Sequence, residues 1–290
     1  MQKLTYVLAL LTALLLGAEA VAQSAPSAYL VGYRYLAGGV LVGTISPAPS
    51  GTSNFPATRN TYDSNGRLAM IETGVLASWQ ADTILPANWT GFTVYKVETF
   101  AYDSDGRKIQ DTFSDPSGTI DNVTQYSYDA FNRLICTAVR MNPAVFASLP
   151  ASACTLGTQG SNGPDRITEN FYDSLNRVTQ VLKAVGTTVQ EAYATYSYTV
   201  DSLQQSEIDA NGNQTQLTYD GHDRLVQMNF PSPTPVSGYN PSTQTTALST
   251  AGSANTSDYE AYGYDLNGNR TSLRKRDVLQ YRWRWYFLCL

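Results

Sequence analysis

The chain has 290 residues, 42% of them hydrophobic, enough for one large or two ordinary domains with a buried core, and this excludes disorder throughout. Lys and Arg total 19 against 24 Asp and Glu, a net charge of -5 and a pI near 4.9, which argues against a phosphate-neutralising, nucleic-acid-binding surface. Only 15% of residues are charged while 20 are Tyr and 21 are Gly, the residues of strands and turns, so composition points to an all-β protein.

The N-terminus, MQKLTYVLALLTALLLGAEAVAQSAP, places Lys3 before an apolar run from Leu4 to Leu16 and small residues ending Ala20-Val21-Ala22. That is the layout of a secretory signal cleaved after Ala22. A membrane anchor is the alternative, but the run falls short of the ~20 residues a span requires. Residues 1–22 are therefore expected to be removed, leaving a chain secreted from a bacterial cell or held in its envelope. Residues 23–60 form a lead-in segment.

From residue 61 onward one unit recurs. Full copies begin at Tyr62 (YDSNGRLAM), Tyr102 (YDSDGRKIQ), Tyr128 (YDAFNRLIC), Tyr172 (YDSLNRVTQ), Tyr219 (YDGHDRLVQ) and Tyr264 (YDLNGNRTSL), with a degenerate copy, YTVDSLQQS, at Tyr198. Their separations of 40, 26, 44, 26, 21 and 45 residues imply a unit of roughly 20 to 26 residues with some loops about doubled in length.

Each Tyr is followed by an acid, Asp63, Asp103, Asp129, Asp173, Asp220 or Asp265, placed to accept hydrogen bonds from turn amides. Four residues after the Tyr stand Gly66, Gly106, Asn132, Asn176 and Asp223, types that tolerate a left-handed backbone. Arg67, Arg107, Arg133, Arg177 and Arg224 come next, and mostly apolar residues then resume. Before the turn, pairs such as Tyr126 and Tyr128 are two apart and share a strand face. Each copy is thus a predicted β-hairpin, marginal alone and in need of neighbours.

The last copy is expected to carry one inserted residue, so that Gly268 and Asn269 precede Arg270 and a bulge or longer turn results. It also shares Asp-x-Asn-Gly-Asn-x-Thr with residues 209–215, and Asn-Gly is a strong hairpin-turn signal.

Cys136 and Cys154 bracket a Pro- and Ala-rich stretch. Export favours a disulfide between them, two free buried thiols being the alternative. Cys289 is left over in a closing segment, VLQYRWRWYFLCL, without an acid or a turn residue. Residues 274–290 read as an aberrant, frameshifted or truncated tail; a membrane-surface anchor using Arg282, Trp283, Arg284 and Trp285 is the alternative.

Across residues 61–273 these units resemble the Rhs or YD-repeat family, and DANGNQTQLTYDGHDRLVQ at 209–227 is very similar to the family pattern. The resemblance implies consecutive antiparallel hairpins forming an extended, curved sheet, a partial shell, which in family members encloses a C-terminal toxin or other cargo. Some relatives are surface or cell-contact proteins, and some are associated with carbohydrate. Asp115-Pro116-Ser117-Gly118 matches four letters of the family's core-closing motif, but it lies between early repeats without the upstream Pro and is expected to be an ordinary turn.

A catalytic set is normally built once from residues converging on a pocket, whereas Tyr-Asp-Arg is copied at every hairpin. His222, the lone histidine, sits at a variable turn position, and neither Gly-x-Ser-x-Gly nor a P-loop is present. Calcium at Asp209 to Asn213 fails the EF-hand spacing. The expectation is a non-enzymatic scaffold without cofactor or metal. The alternative is a carbohydrate-binding adhesion module, in which Trp79 or Trp89 would stack on surface glycans.

Overall fold

The computed structural model describes residues 30–49, 54–277 and 280–287, with the backbone alone for 277 and 280–287. The expected signal segment and Cys289 lie outside the described residues. The described residues divide into two compact units, those up to 100 with 113–119 and those at 101–112 with 120 onward.

In the first unit, β1 (Gly32–Tyr35), β2 (Leu41–Ile45), β3 (Phe55–Tyr62), β4 (Leu68–Leu76) and most of β5 (Phe92–Tyr102) pair antiparallel, each with its neighbour in sequence. β6 (Lys108–Ser114) begins in the second unit and ends in the first. The second unit continues with β7 (Ile120–Tyr128), β8 (Leu134–Arg140), β9 (Arg166–Tyr172), β10 (Val178–Lys183), β11 (Glu191–Tyr198) and β12 (Gln204–Asp209). β13 (Gln214–Tyr219), β14 (Leu225–Pro231), β15 (Ala254–Tyr264), β16 (Arg270–Asp277) and β17 (Gln280–Phe287) follow, and α1 (Gln244–Thr250) lies between β14 and β15. From β7 to β17 every strand again pairs antiparallel with the next.

The protein is therefore all-β, built of consecutive antiparallel hairpins, and among the described residues neither ladder closes on itself. The segment expected to be an aberrant tail continues the pattern, with β17 beside β16. No helix of the described residues is long and apolar enough to cross a membrane.

Every Tyr-Asp hairpin joins an odd-numbered strand to the even-numbered one after it, so in the second unit the corners fall at the same ends of their strands. The long connections leave from the opposite ends and supply the core. In the first unit the loop after β4 brings Trp89 onto Ile45, Ala57 and Leu76, with Phe55, Trp79, Ile84 and Phe92 around them. Gly43 permits this approach, since a Cβ there would lie 2.5 Å from Pro86 Cγ.

In the second unit residues 141–165 pack Ala153 against Cys136, Ala138 and Ile167. Cys136 and Cys154 are disulfide-bonded, Cα to Cα 5.3 Å. Beside them Arg140 and Asp165 form an ion pair at 2.7 Å, with side chains only 1% and 5% exposed. The pair is fully supported, as a buried pair must be. Arg140 also donates to Gln125 Oε1 and to the carbonyls of Ser152 and Thr155, and Asp165 accepts from the amides of Met141 and Gly157. A third excursion carries α1, from which Gln244 donates to the Tyr196 carbonyl at 2.7 Å.

Candidate functional site: a row of linked corners

Each Tyr-Asp copy folds into the same corner. The Asp amide donates to the carbonyl four residues on, from Asp63 to Arg67 at 2.8 Å through Asp220 to Arg224 at 3.0 Å. The residue in between, Gly66, Gly106, Asn132, Asn176, Asp223 or Gly268, returns its N–H to the Asp carbonyl with φ between 61° and 84°. This is a three-residue hairpin loop ending in a left-handed residue, and the Tyr sits at a register shift beside it, as at Tyr62, Tyr128 and Tyr219.

The Asp side chain organises the loop from within. Its Oδ1 accepts the amides two and four residues on, at 2.9 and 2.9 Å for Asp63 and at 2.9 and 3.1 Å for Asp220. Its Oδ2 accepts Nε of Arg67, Arg107, Arg133, Arg177 or Arg224 at 2.7 Å. At Asp220 the Arg224 guanidinium leads in holding the carboxyl down to about 2, partial desolvation opposing it. At Asp103, Asp129 and Asp173 desolvation pushes upward, and the amides with the guanidinium more than offset it. Carboxylates so occupied are poor proton acceptors at neutral pH.

The arginine then reaches out of its corner into the next. Nη1 of Arg107 donates to the Asp129 carbonyl at 3.3 Å and Asn132 Oδ1 at 2.7 Å. Arg133 does the same to Asp173 and Asn176, at 3.0 and 3.1 Å. Arg177 reaches Thr199 and Ser202, and Arg224 reaches the Asp265 carbonyl at 3.1 Å. Each guanidinium also lies over the next tyrosine, with Arg133 4.8 Å from the Tyr172 centroid and Arg177 4.5 Å from that of Tyr198.

The tyrosines answer in the other direction. Tyr128, Tyr172, Tyr198, Tyr219 and Tyr264 donate their hydroxyls to the carbonyls of Lys108, Leu134, Val178, Gln204 and Leu225, at 2.6 to 2.9 Å. In the first unit Tyr62 donates to Leu41. Four pairs of neighbouring corners are thus bonded both ways, and the Tyr198 and Tyr219 corners through the tyrosine hydroxyl alone.

Of the bulge or longer turn expected in the last copy, a register shift is present at Tyr264, as in other copies, and the longer turn is not formed. Gly268 is the left-handed residue, Asn269 occupies the arginine position, and its Nδ2 donates to Asp265 Oδ2 at 3.0 Å. Arg270 falls one residue later, its guanidinium 5.6 Å from the Tyr262 ring. An Asn amide can close the loop on the carboxylate as an Arg Nε does, so no insertion is needed. Asp209 and Asn213 repeat this closure at 2.7 Å, which leaves the Asp209 oxygens engaged by protein donors. The degenerate copy is also a full corner, with Ser202 at φ 68° and Thr199 Oγ1 accepting from the Leu203 amide.

Asp115 to Thr119 form an ordinary turn of this kind, with Gly118 at φ 91°. His222 is exposed and contributes its backbone amide to Asp220. Trp79 and Trp89, the glycan candidates, spend their rings inside the first unit. Trp89 is buried and meets Phe92 edge-on at 5.7 Å, and half-buried Trp79 meets Phe55 at 5.8 Å. Loop closure onto the sheet packs both rings against the core of the first unit. Among the described residues the one cluster of metal-ligand types is Cys136, Cys154 and Glu169, whose sulfurs are already joined to each other.

No protein-family model and no curated protein matches this chain. Among solved structures it is similar to a TcdB2-TccC3-TEV crystal structure, at 15% identity and TM-score 0.40 over 87% of this chain and 11% of the other. The Tc holotoxin pore of Photorhabdus luminescens is similar at 17% identity and TM-score 0.39, over 84% of this chain and 11% of the other. A porin-like protein from Bacteroides uniformis aligns at 11% identity and TM-score 0.26, over 84% and 92%. The chain spans about a ninth of the length of the first two.

Proposed function

We propose that this chain is a non-enzymatic repeat scaffold, exported from a bacterial cell, and part of an Rhs-type shell or surface protein whose sheet encloses or displays a C-terminal cargo such as a toxin. The observation that carries this reading is the bidirectional link between corners, in which Arg133 serves Asp129 and the Tyr172 corner together. Side chains that join one hairpin to the next suit a structural role, and the same joint can be repeated to lengthen a wall. The secretory pattern of residues 1–22 supports export.

The reading is tested by light scattering on chromatographed chain after signal removal. A wall segment has strand edges that pair with other copies. On β1, which pairs only with β2 among the described residues, Tyr33 and Tyr35 are more than half exposed. Concentration-dependent association is expected. A strict monomer at every concentration would indicate a self-contained module and overturn the reading.

A further inference from the structure

Between the corners at Tyr198 and Tyr219 the guanidinium link is absent, because Leu203 stands where the neighbouring corners have Arg177 and Arg224. The two corners are still set side by side, as Tyr219 donates to the Gln204 carbonyl at 2.9 Å. What lies between them is a cleft of about 270 Å³, lined in part by Thr199, Asp201, Leu203, Tyr219, Asp220 and Asp223.

The same surroundings hold a guanidinium elsewhere in this molecule. Arg107, Arg133, Arg177 and Arg224 each lie over the following tyrosine and donate to the following carbonyl. Three of them also donate to the left-handed residue, which is neutral each time: Asn132, Asn176 or Ser202. At the Leu203 cleft that residue is Asp223, exposed and with its φ at 61°, and Asp201 adds a second carboxylate on the facing wall. The cleft thus keeps the tyrosine and the carbonyl of its counterparts and replaces a neutral acceptor with a charged one.

We propose that the cleft between Leu203 and Asp223 receives a guanidinium from outside this chain, the arginine side chain of a partner polypeptide. A planar fork can stack on Tyr219 while donating to the Asp220 carbonyl and the Asp223 carboxylate; a compact ammonium cannot do both. All four internal counterparts are arginine, none lysine. The assignment does not depend on what the scaffold carries.

Nα-acetyl-arginine methylamide titrated into the isotope-labelled chain should give saturable amide shifts at Leu203 and Tyr219 to Asp223, at least about threefold weaker with the citrulline or lysine counterpart. Asp223→Asn should weaken binding by a similar factor. Leu203→Arg should abolish it by filling the cleft, and should melt higher than Leu203→Gln, which adds length without the charged fork. Shifts equal for citrulline, shifts unchanged in Asp223→Asn, or no shifts together with no gain of Leu203→Arg over Leu203→Gln would each overturn the proposal. Should Leu203→Arg fail to fold, the exposed Asp223→Asn variant decides.

Discussion

The guanidinium of Arg133 lies 4.8 Å from the centre of the Tyr172 ring, while the Tyr172 hydroxyl donates at 2.7 Å to Leu134, the residue after that arginine. The two side chains therefore clasp neighbouring hairpins from both sides. The geometry recurs for Arg107 with Tyr128, Arg177 with Tyr198 and Arg224 with Tyr264.

Removing only the hydroxyl tests one half of the clasp. Tyr172→Phe is expected to lower unfolding stability by about 1 kcal/mol, the net worth of one hydrogen bond. Tyr172→Leu should cost about a further 1 kcal/mol by losing the ring under the cation. Urea unfolding measures both, and wild-type stability in the two variants would show that the clasp does not hold the corners together.

Acid should loosen the corners in a defined window. The Asp220 carboxyl stands at about 2 in the fold against an ordinary 3.8, so the unfolded chain binds its proton first as pH falls. The stability it adds is fully present above 3.8 and lost as pH drops towards 2. Asp63, Asp129 and Asp173 are shifted the same way. A melting temperature with little dependence on these groups near neutrality and falling steeply below about pH 4 is expected, with a shallower fall in Asp220→Asn. Identical acid profiles for the variant and the wild type would contradict this.

The left-handed corner tolerates few residues. Asn176 sits at φ 64°, so Asn176→Val is expected to cost about 1 to 3 kcal/mol, whereas Asn176→Gly should stay within about 1 kcal/mol of wild type. Thermal melts of the pair check it, and only a difference between them reports on the backbone.

Arg140→Met would leave Asp165 as an uncompensated buried charge, and a loss of about 3 to 5 kcal/mol is expected. The same change should expose residues 141–165 to proteolysis. Resistance equal to wild type would mean that the ion pair does not hold this loop down.

Reduction of Cys136–Cys154 releases a loop whose ends are 18 residues apart. About 3 kcal/mol of stability should be lost with it. Hydrogen exchange should then rise first in residues 141–165. Uniform acceleration along the whole chain would instead point to a global role for the bridge.

Much of each corner was legible before folding. Tyr128, Asp129, Asn132 and Arg133 lie within six residues of one another, and amides that bond to a carboxylate two and four residues back need no knowledge of the rest of the chain. The packing of Trp79 and Trp89 was not legible for the opposite reason. Aromatic residues in a long loop look the same whether the loop stands in solvent or folds back onto Ile45 and Leu76. The inserted residue expected before Arg270 came from aligning on arginine, when Asn269 does the same bonding.

By itself, then, the sequence determined the all-β class, the hairpins and the residue types at every turn, because φ preference and short-range hydrogen bonding are local properties. Only the tertiary structure decided which corner each arginine grips, where the tyrosine hydroxyls go, how Arg140 and Asp165 come to share one buried site, and that Leu203 interrupts the chain of guanidinium links. Those contacts join residues 15 to 43 positions apart, and they exist only once strand pairing has set one hairpin beside the next.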